Sequence, residues 1–286
     1  MNNLQKEFPS IFHIGLPKTG TTTLQYILNK DNRLNVTRDR YFNEVDWWTK
    51  DYLFIKKGLI NILSEENQIL QSDEFVKLSL TLSRISRVQP NAIIIVTIRE
   101  QRQLLESRYR FEIPYCTGYH RSFEKWLKSN CGLDHISATM YYTMYKTINA
   151  FFPKKQIKFL LFEDLANNYQ NFFKELYHII GIPMPIHFEM DVKKNKSLSD
   201  AELLIIRNLN KFKLFTKESK MAHFEANIYR KMASKLKNTA LRTDEFKWAN
   251  SDFFKKMEED FKYENNCLTT EKIVDPLLLK KYNYLI

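Results

Sequence analysis

A strand, a glycine-containing loop and a helix are predicted within residues 11–28, which read IFHIGLPKTGTTTLQYIL. Residues 11–15 form a short apolar run typical of a buried strand, and apolar residues recur at helical spacing from Leu24 onward. A connection of this kind points backbone N–H groups and a helix N-terminus at a phosphate. Gly15 and Gly20 allow the backbone to turn sharply beside such an anion. The segment therefore predicts a phosphate-binding loop.

The position of the lysine distinguishes this loop from the P-loop of nucleoside triphosphatases. In the pattern G-x-x-x-x-G-K-[S/T] a lysine follows the second glycine, but here Thr21 has that position and the lysine is Lys18, inside the loop. Lys18 would approach a phosphate nearer the end of the strand than a lysine on the helix. The loop is therefore not the one expected for the γ-phosphate of Mg·ATP. A strand-to-helix turn that binds no ligand is the simpler alternative.

The loop sequence closely resembles the 5′-phosphosulfate loop of sulfotransferases, enzymes that use 3′-phosphoadenosine 5′-phosphosulfate (PAPS). The resemblance implies a P-loop-like fold and a PAPS-binding role for seven residues, namely Pro17, Lys18, Thr19, Gly20, Thr21, Thr22 and Thr23. It also implies a catalytic role for Lys18, which would neutralise the leaving oxygen. A metal ion is not expected in this chemistry.

A second strand is predicted at residues 91–98, NAIIIVTI, and it ends at Arg99. This uninterrupted β-branched run is typical of a central parallel strand buried on both faces. Ser107 lies eight residues after Arg99 in a helical pattern, just over two turns away, so both side chains could face one crevice. The Arg-x7-Ser spacing resembles the 3′-phosphate site of sulfotransferases. The amino-acid sequence around it resembles that of their carbohydrate-directed branch. The resemblance implies that Arg99 and Ser107 select PAPS over ATP.

Two residues are candidates for the general base. Glu74 follows a short predicted strand ending near residue 70, and a carboxylate at that edge would face the same crevice as the phosphate loop. The alternative is an ordinary acidic residue interacting with the dipole of the next helix. His120, in the loop at residues 113–121, is the second candidate, with a surface histidine as its alternative. His13, inside the first strand, is interpreted as a core residue.

A third strand is predicted at residues 157–162, followed by an acidic pair, Glu163 and Asp164, expected to cap the next helix. Farther on, Ser199 and Glu202 have the spacing of a capping box. The polar loop before them resembles the loop that closes over the adenosine end of the cofactor in sulfotransferases. The resemblance makes four residues candidates for 3′-phosphate contacts, with an ordinary linker as the alternative: Lys194, Asn195, Lys196 and Ser197.

The predicted fold is α/β, with a central, mostly parallel sheet flanked by helices and a helical C-terminal region. We expect one domain over residues 1–286, with a cofactor-binding core at 11–200 and a helical extension at 201–286. Residues 31–51 are expected to form a loop with short helical pieces. The phenylalanines of the extension are interpreted mostly as a core-facing stripe: Phe212, Phe215, Phe224, Phe246, Phe253, Phe254 and Phe261.

Composition limits the choice of partners and compartments. The net charge of +11 attracts polyanions in general, but the basic residues are scattered, so nucleic acid is not expected. The three cysteines are widely spaced, lack a C-x-x-C metal pattern and are interpreted as free thiols of a reducing compartment. Neither a signal-peptide core nor an apolar run long enough for a membrane span is present, which predicts a cytoplasmic protein.

The predicted reaction is transfer of a sulfuryl group from PAPS to a hydroxyl or amine, with a carbohydrate favoured as acceptor and a small or lipid-linked molecule as the alternative. Two other functions compete with it. A P-loop kinase or NTPase requires a lysine at Thr21 and an acidic residue after the main strand, where Arg99 stands. A nucleic-acid-binding protein requires clustered basic and aromatic residues.

Overall fold

The computed structural model describes residues 10–37, 56–65, 74–114, 122–186, 198–212, 220–236 and 251–286, and within them it leaves out the side chains of residues 65, 74–77, 212, 220–223 and 236. Within these ranges, no helix has both the length and the apolar character needed to span a membrane.

Five parallel strands form the central sheet, in the order β2-β3-β1-β4-β5. Their bounds are β1 Ile11–Gly15, β2 Leu34–Thr37, β3 Ile60–Glu65, β4 Ile93–Ile98 and β5 Ile157–Leu161. β1 and β4 are neighbours, with Gly15 opposite Thr97. The loop that follows β1 and the residues that follow β4 therefore leave the sheet at the same edge, which is the edge where ligands bind in open α/β sheets, and the parallel sheet with its helices confirms the α/β fold.

Twelve α-helices accompany the sheet in the described ranges. They are α1 Thr21–Leu28, α2 Glu74–Val88, α3 Gln101–Glu112, α4 Phe123–Leu127, α5 Asn130–Ala138, α6 Tyr141–Asn149, α7 Phe162–Asn167, α8 Tyr169–Ile180, α9 Asp200–Leu209, α10 Lys220–Leu236, α11 Asp252–Thr270 and α12 Pro276–Lys281. α8 ends at Gly181 in the left-handed conformation (φ 86°), and Ser199 and Glu202 form the predicted capping box of α9.

Helices α1 and α8 pack on the sheet through one apolar cluster. Leu24 and Ile27 of α1 and Phe172 and Phe173 of α8 are buried there with Ile95 of β4. The apolar residues predicted at helical spacing in α1, together with those of α8, thus form the core contact that holds α1, and with it the preceding loop, against the sheet.

The two strands at one side of the sheet were not predicted. β2 lies in a segment expected to be a loop, but Leu34 and Val36 alternate with half-buried polar residues and enter the core. β3 is also new, and it pairs with both β1 and β2. The predicted short strand ending near residue 70 lies outside the described residues.

The chain divides into two compact units. The first comprises residues 1–101, 137–192 and 258–286, and contains the whole sheet; the second comprises residues 102–136 and 193–257. The division of one domain into a core at 11–200 and an extension at 201–286 is not tested by this grouping and stays a prediction.

The second unit has an aromatic core of its own. The ring of Tyr109 lies 5.3 Å from that of Phe123 and 5.4 Å from that of Trp126, and all three side chains are buried. Phe254 also joins this core, as predicted for the phenylalanine stripe. Phe224 does not follow the predicted stripe, since 62% of it is exposed.

Candidate functional site

The loop between β1 and α1 is held in a tight conformation by its own residues. Lys18 and Gly20 both have positive φ angles, 74° and 81°. Thr19 is fully buried, and its N–H and hydroxyl both donate to the carbonyl of Leu16, at 3.2 Å and 2.6 Å. Both donors of Thr19, its N–H and its hydroxyl, are therefore used to fold the loop.

Both glycines of the loop are closely packed against side chains. A Cβ added to Gly15 would lie 2.1 Å from Cγ2 of Thr21, and a Cβ added to Gly20 would lie 2.5 Å from Cδ2 of Leu165. Gly20 in addition has a backbone conformation that residues with side chains adopt at a cost. A side chain at either position would therefore require Thr21 or Leu165 to shift.

The first turn of α1 has the electrostatic character of an anion site. Gly20 is the N-cap, no side chain accepts a capping hydrogen bond there, and the first turn contains no acidic residue. Backbone N–H groups of a first helical turn have no partner within the helix and carry partial positive charge. Thr21 is buried, Thr23 is half-buried and Thr22 is exposed. The arrangement fits a bound phosphate.

A buried hydrogen-bonded network lies beneath the loop. His13 Nδ1 is 2.7 Å from Oγ of Ser64, and His13 Nε2 is 2.7 Å from Oγ1 of Thr97. The side-chain amide of Gln25 donates to the Ser64 hydroxyl at 2.8 Å. Burial lowers the pKa of His13 to about 4. His13 is thus a neutral core residue, as predicted, and it ties β1 to the strands on either side.

Arg99 connects the end of β4 to the phosphate loop. Its Nη1 donates to the carbonyl oxygen of Lys18 at 3.2 Å, and its guanidinium lies 4.6 Å from the centre of the Phe162 ring. Tyr141 donates a hydrogen bond to the Arg99 carbonyl at 2.5 Å. Burial lowers the pKa of Arg99, an effect that the nearby Glu163 opposes. The buried Nε of Arg99 has no hydrogen-bond partner in the described part of the chain.

Glu163 and Asp164 do not cap a helix, contrary to prediction. Glu163 accepts the backbone N–H of Glu100 at 2.8 Å and the hydroxyl of Tyr284 at 3.0 Å, while Asp164 accepts the hydroxyl of Tyr282. The side chain of Asn168 caps α8 instead. Both acidic side chains are buried, and their hydrogen bonds hold Glu100, the residue after Arg99, and the two tyrosines near residue 284.

The remaining candidates are placed less completely. Ser107 is half-buried on α3 and belongs to the second unit, so its pairing with Arg99 at one phosphate stays a prediction. Glu74 is the first residue of α2, but its side chain is outside the described residues. His120 and residues 194–197 are outside them as well.

Sequence reasoning missed three residues that support Arg99. The Tyr141 hydroxyl donates to the Arg99 carbonyl, and the Phe162 ring lies against the Arg99 guanidinium. The Tyr284 hydroxyl donates to Glu163, which in turn accepts the N–H of the residue after Arg99. Tyr284 lies far along the chain, and Tyr141 opens a helix with no strand before it, so neither gave a local signal. Phe162 was predicted as the end of a strand and is the first residue of α7.

The fold resembles that of known sulfotransferases. A sulfotransferase from Alicyclobacillus acidocaldarius superposes with a TM-score of 0.54 at 15% identity, over 66% of this chain and 87% of its own.

Two further solved structures give TM-scores below 0.5. Mouse sulfotransferase SULT7A1 complexed with PAP is 13% identical, with a TM-score of 0.42 over 97% of this chain and 91% of its own. The sulfotransferase domain from the curacin biosynthetic pathway is 12% identical, with a TM-score of 0.44 over 88% of this chain and 97% of its own.

Comparison with curated proteins gave no match. The family model of the sulfotransferase domain, however, matches residues 8–261, which is most of the chain and includes β1, the phosphate loop and Arg99. The chain therefore belongs to the sulfotransferase family.

Proposed function

We propose that the protein transfers a sulfuryl group from PAPS to a hydroxyl or amine of an acceptor, with a carbohydrate as the favoured acceptor class. One observation carries the proposal: the hydrogen bond from Arg99 to the carbonyl of Lys18. It brings together the two elements that the sequence assigned separately to the 5′ and 3′ ends of the nucleotide.

The residues present fit a doubly phosphorylated nucleotide. The uncapped first turn of α1 offers N–H donors to a 5′-phosphate. Nη1 of Arg99 donates to the loop, at the carbonyl of Lys18. Its buried Nε has no partner in the described part of the chain, and this N–H is a donor suited to a second phosphate. Ser107 and residues 194–197 are assigned to that same phosphate only by the resemblance of their sequence to sulfotransferases.

Lys18 and a general base divide the chemistry between them. In the transfer, the bond from sulfur to the phosphate oxygen breaks, a bond from sulfur to the acceptor forms, and the acceptor loses a proton. The ammonium of Lys18 would stabilise the charge that develops on the leaving oxygen, as preorganised cations do in phosphoryl transfer. Glu74, or else His120, would take the acceptor's proton.

The acceptor and the compartment are inferred from the sequence. The carbohydrate acceptor rests on the resemblance around Arg99 to the carbohydrate branch. A cytoplasmic location rests on the cysteines, of which Cys131 and Cys267 are free thiols.

Nucleotide binding by the full chain gives the first test. Calorimetry should compare 3′-phosphoadenosine 5′-phosphate (PAP), adenosine 5′-phosphate and ATP, each with and without Mg²⁺. We expect PAP to bind at least about tenfold more tightly than adenosine 5′-phosphate, because each charge-assisted hydrogen bond is worth about 1.5–3 kcal/mol. Equal binding of the two, or Mg²⁺-dependent hydrolysis of ATP, would overturn the proposal.

Transfer of labelled sulfate from PAPS gives the second test. Oligosaccharides, monosaccharides, phenols and amines should be offered in parallel. Labelling of a sugar supports the carbohydrate acceptor. Labelling confined to phenols or amines would support sulfuryl transfer but reject a carbohydrate as the acceptor.

A further inference from the structure

A compact cluster of metal-ligating side chains lies within the second unit, between α3 and α5. Ligand atoms of Glu112, Cys131 and His135 all lie within 4.8 Å of one another. Oε1 of Glu112 is 2.7 Å from Nε2 of His135, and Sγ of Cys131 is 3.3 Å from Oε2 of Glu112. Sγ of Cys131 and Nε2 of His135 are 3.8 Å apart. The cluster lies outside the set of residues assigned to sulfuryl transfer.

The helices explain why these atoms converge. Cys131 and His135 are four residues apart on α5, so their side chains share one face of that helix. Glu112 is the last residue of α3. Glu112 and His135 are buried, whereas Cys131 is half-buried and leaves the cluster open to an ion on one side.

Two buried nitrogen atoms at the cluster have no hydrogen-bond partner in the described part of the chain. They are Nδ1 of His135 and Nε of Arg108. Only Nδ1 of His135 bears on metal binding, because the N–H of a guanidinium is a donor and cannot bind a cation. Since Nδ1 has no partner among the described residues, the imidazole proton can lie on it and leave the lone pair of Nε2, which faces Glu112 and Cys131, for a metal.

We propose that Glu112, Cys131 and His135 bind a Zn²⁺ ion. Thiolate, imidazole and carboxylate are all zinc ligands, and three protein ligands with water in the fourth position form a known zinc arrangement. On binding, the thiol of Cys131 releases its proton to solvent and the sulfur takes the metal. The imidazole binds through the lone pair of Nε2: its hydrogen bond to Glu112 is given up and the ring proton lies on Nδ1, so no oxidant or reductant is needed.

Neighbouring side chains hold the ligands in place for the ion. The Trp126 ring stacks on the His135 imidazole, with 5.4 Å between ring centres. The guanidinium of Arg108 donates to Oε1 of Glu112 at 2.8 Å. Oε2 of Glu112, which accepts from the Cys131 thiol in this structure, is therefore the oxygen that would bind the metal. A positive charge this close lowers the affinity for a cation, so we expect Arg108→Gln to bind Zn²⁺ more tightly than the unchanged chain.

Cobalt provides the optical probe for this site. The full chain, reduced and freed of metal, should be titrated with Co²⁺ while the near-ultraviolet thiolate-to-cobalt charge-transfer band is recorded. We expect the band to appear, to saturate at one equivalent and to disappear when Zn²⁺ is added. Cys131→Ser should abolish the band. His135→Gln should keep the thiolate but lower the Co²⁺ affinity by at least about tenfold.

Cys267 supplies a matched control. Cys267→Ser removes a thiol that is not part of the cluster and should leave the band unchanged. The proposal is overturned if the unchanged chain gives no charge-transfer band, if Cys131→Ser retains it, or if Cys267→Ser loses it.

A measurement on the unchanged chain covers the case in which Cys131→Ser does not fold. Zn²⁺ should slow alkylation of Cys131 by iodoacetamide at least about tenfold, located by peptide mass spectrometry, and leave the alkylation of Cys267 unchanged. Equal rates at Cys131 with and without Zn²⁺ would contradict the site.

Discussion

Nη1 of Arg99 donates a hydrogen bond of 3.2 Å to the carbonyl oxygen of Lys18, so the first residue after β4 supports the loop that follows β1. Lys18 is held there with a positive φ angle of 74°, unusual for a residue other than glycine. The guanidinium therefore has two tasks in the proposed site: it stabilises the loop conformation, and it presents Nε to a phosphate.

Arg99→Ala should weaken the discrimination between PAP and adenosine 5′-phosphate by at least about tenfold, since the charged donor to the 3′-phosphate is lost. Loop loosening will weaken both nucleotides, so the ratio of their two Kd values is the quantity to measure. Arg87→Ala, at an exposed arginine of α2, is the matched control and should leave the ratio unchanged. A ratio unaffected by Arg99→Ala would remove the 3′-phosphate assignment.

Lys18→Ala should lower kcat for sulfate transfer by on the order of 10²–10³, because the leaving oxygen loses its cation. Nucleotide affinity should change much less than kcat. Lys18→Gly also removes the ammonium but suits the positive φ angle, so the same loss in both variants would exclude backbone strain as the cause. Lys30→Ala, at an exposed lysine of α1's C-terminal flank, is the control, and full activity of Lys18→Ala would contradict the role.

Gly20→Ala should destabilise the protein by more than Gly58→Ala and should also weaken PAP binding. Both glycines have φ near 80°, so both alanines incur the left-handed penalty of about 1–2 kcal/mol. Only Gly20 has an obstacle as well, since its added Cβ would meet Leu165, whereas nothing lies within 4 Å at Gly58. Urea unfolding of the two variants isolates the packing contribution, and equal destabilisation would show that the contact with Leu165 is easily relieved.

Acid should destabilise the protein through His13. The pKa of His13 is lowered from 6.5 to about 4 in the folded chain, so below pH 6.5 the unfolded chain binds a proton that the folded chain does not. Stability should therefore fall as the pH drops from 6.5 toward 4, by at most about 3 kcal/mol from this residue. His13→Gln should reduce that slope, whereas His178→Gln, at an exposed histidine of α8, should retain it. Equal slopes in the two variants would be the contrary result.

Tyr284→Phe should destabilise the protein by about 1–3 kcal/mol, because buried Glu163 loses a hydrogen-bond donor. We also expect weaker PAP binding, since Glu163 holds the backbone of Glu100, next to Arg99. Tyr282→Phe makes the same chemical change at Asp164 and should affect stability without affecting PAP. The link between Glu163 and the nucleotide site fails if the two variants bind PAP equally well.

The parts of the fold with a strong local signal could be predicted. β1 and β4 are short, mostly apolar runs, and their adjacency in the sheet places the loop and Arg99 at one edge, as parallel topology requires. β2 was missed because it is only four residues long: its apolar and polar residues alternate as in a half-buried strand, but so short an alternation does not stand out from the polar and aromatic segment around it.

The parts of the site that depend on distant residues could not be predicted. Glu163 looked like a helix cap because its partners, Glu100 and Tyr284, are 63 and 121 positions away. The cluster of Glu112, Cys131 and His135 was missed for a related reason, since one ligand comes from another helix and the spacing is not C-x-x-C.

The bond between Glu163 and Tyr284 also bears on when the protein becomes able to work. A ribosome that has finished α8 has already made the phosphate loop, Arg99 and Glu163, but it has not yet made the tyrosine that completes the buried carboxylate's hydrogen bonds. The hydrogen bonds of Glu163, which holds the residue after Arg99, are complete only after residue 284 has been added and has folded onto that carboxylate. Competence to hold the proposed nucleotide should therefore not arise before residue 284 has been made.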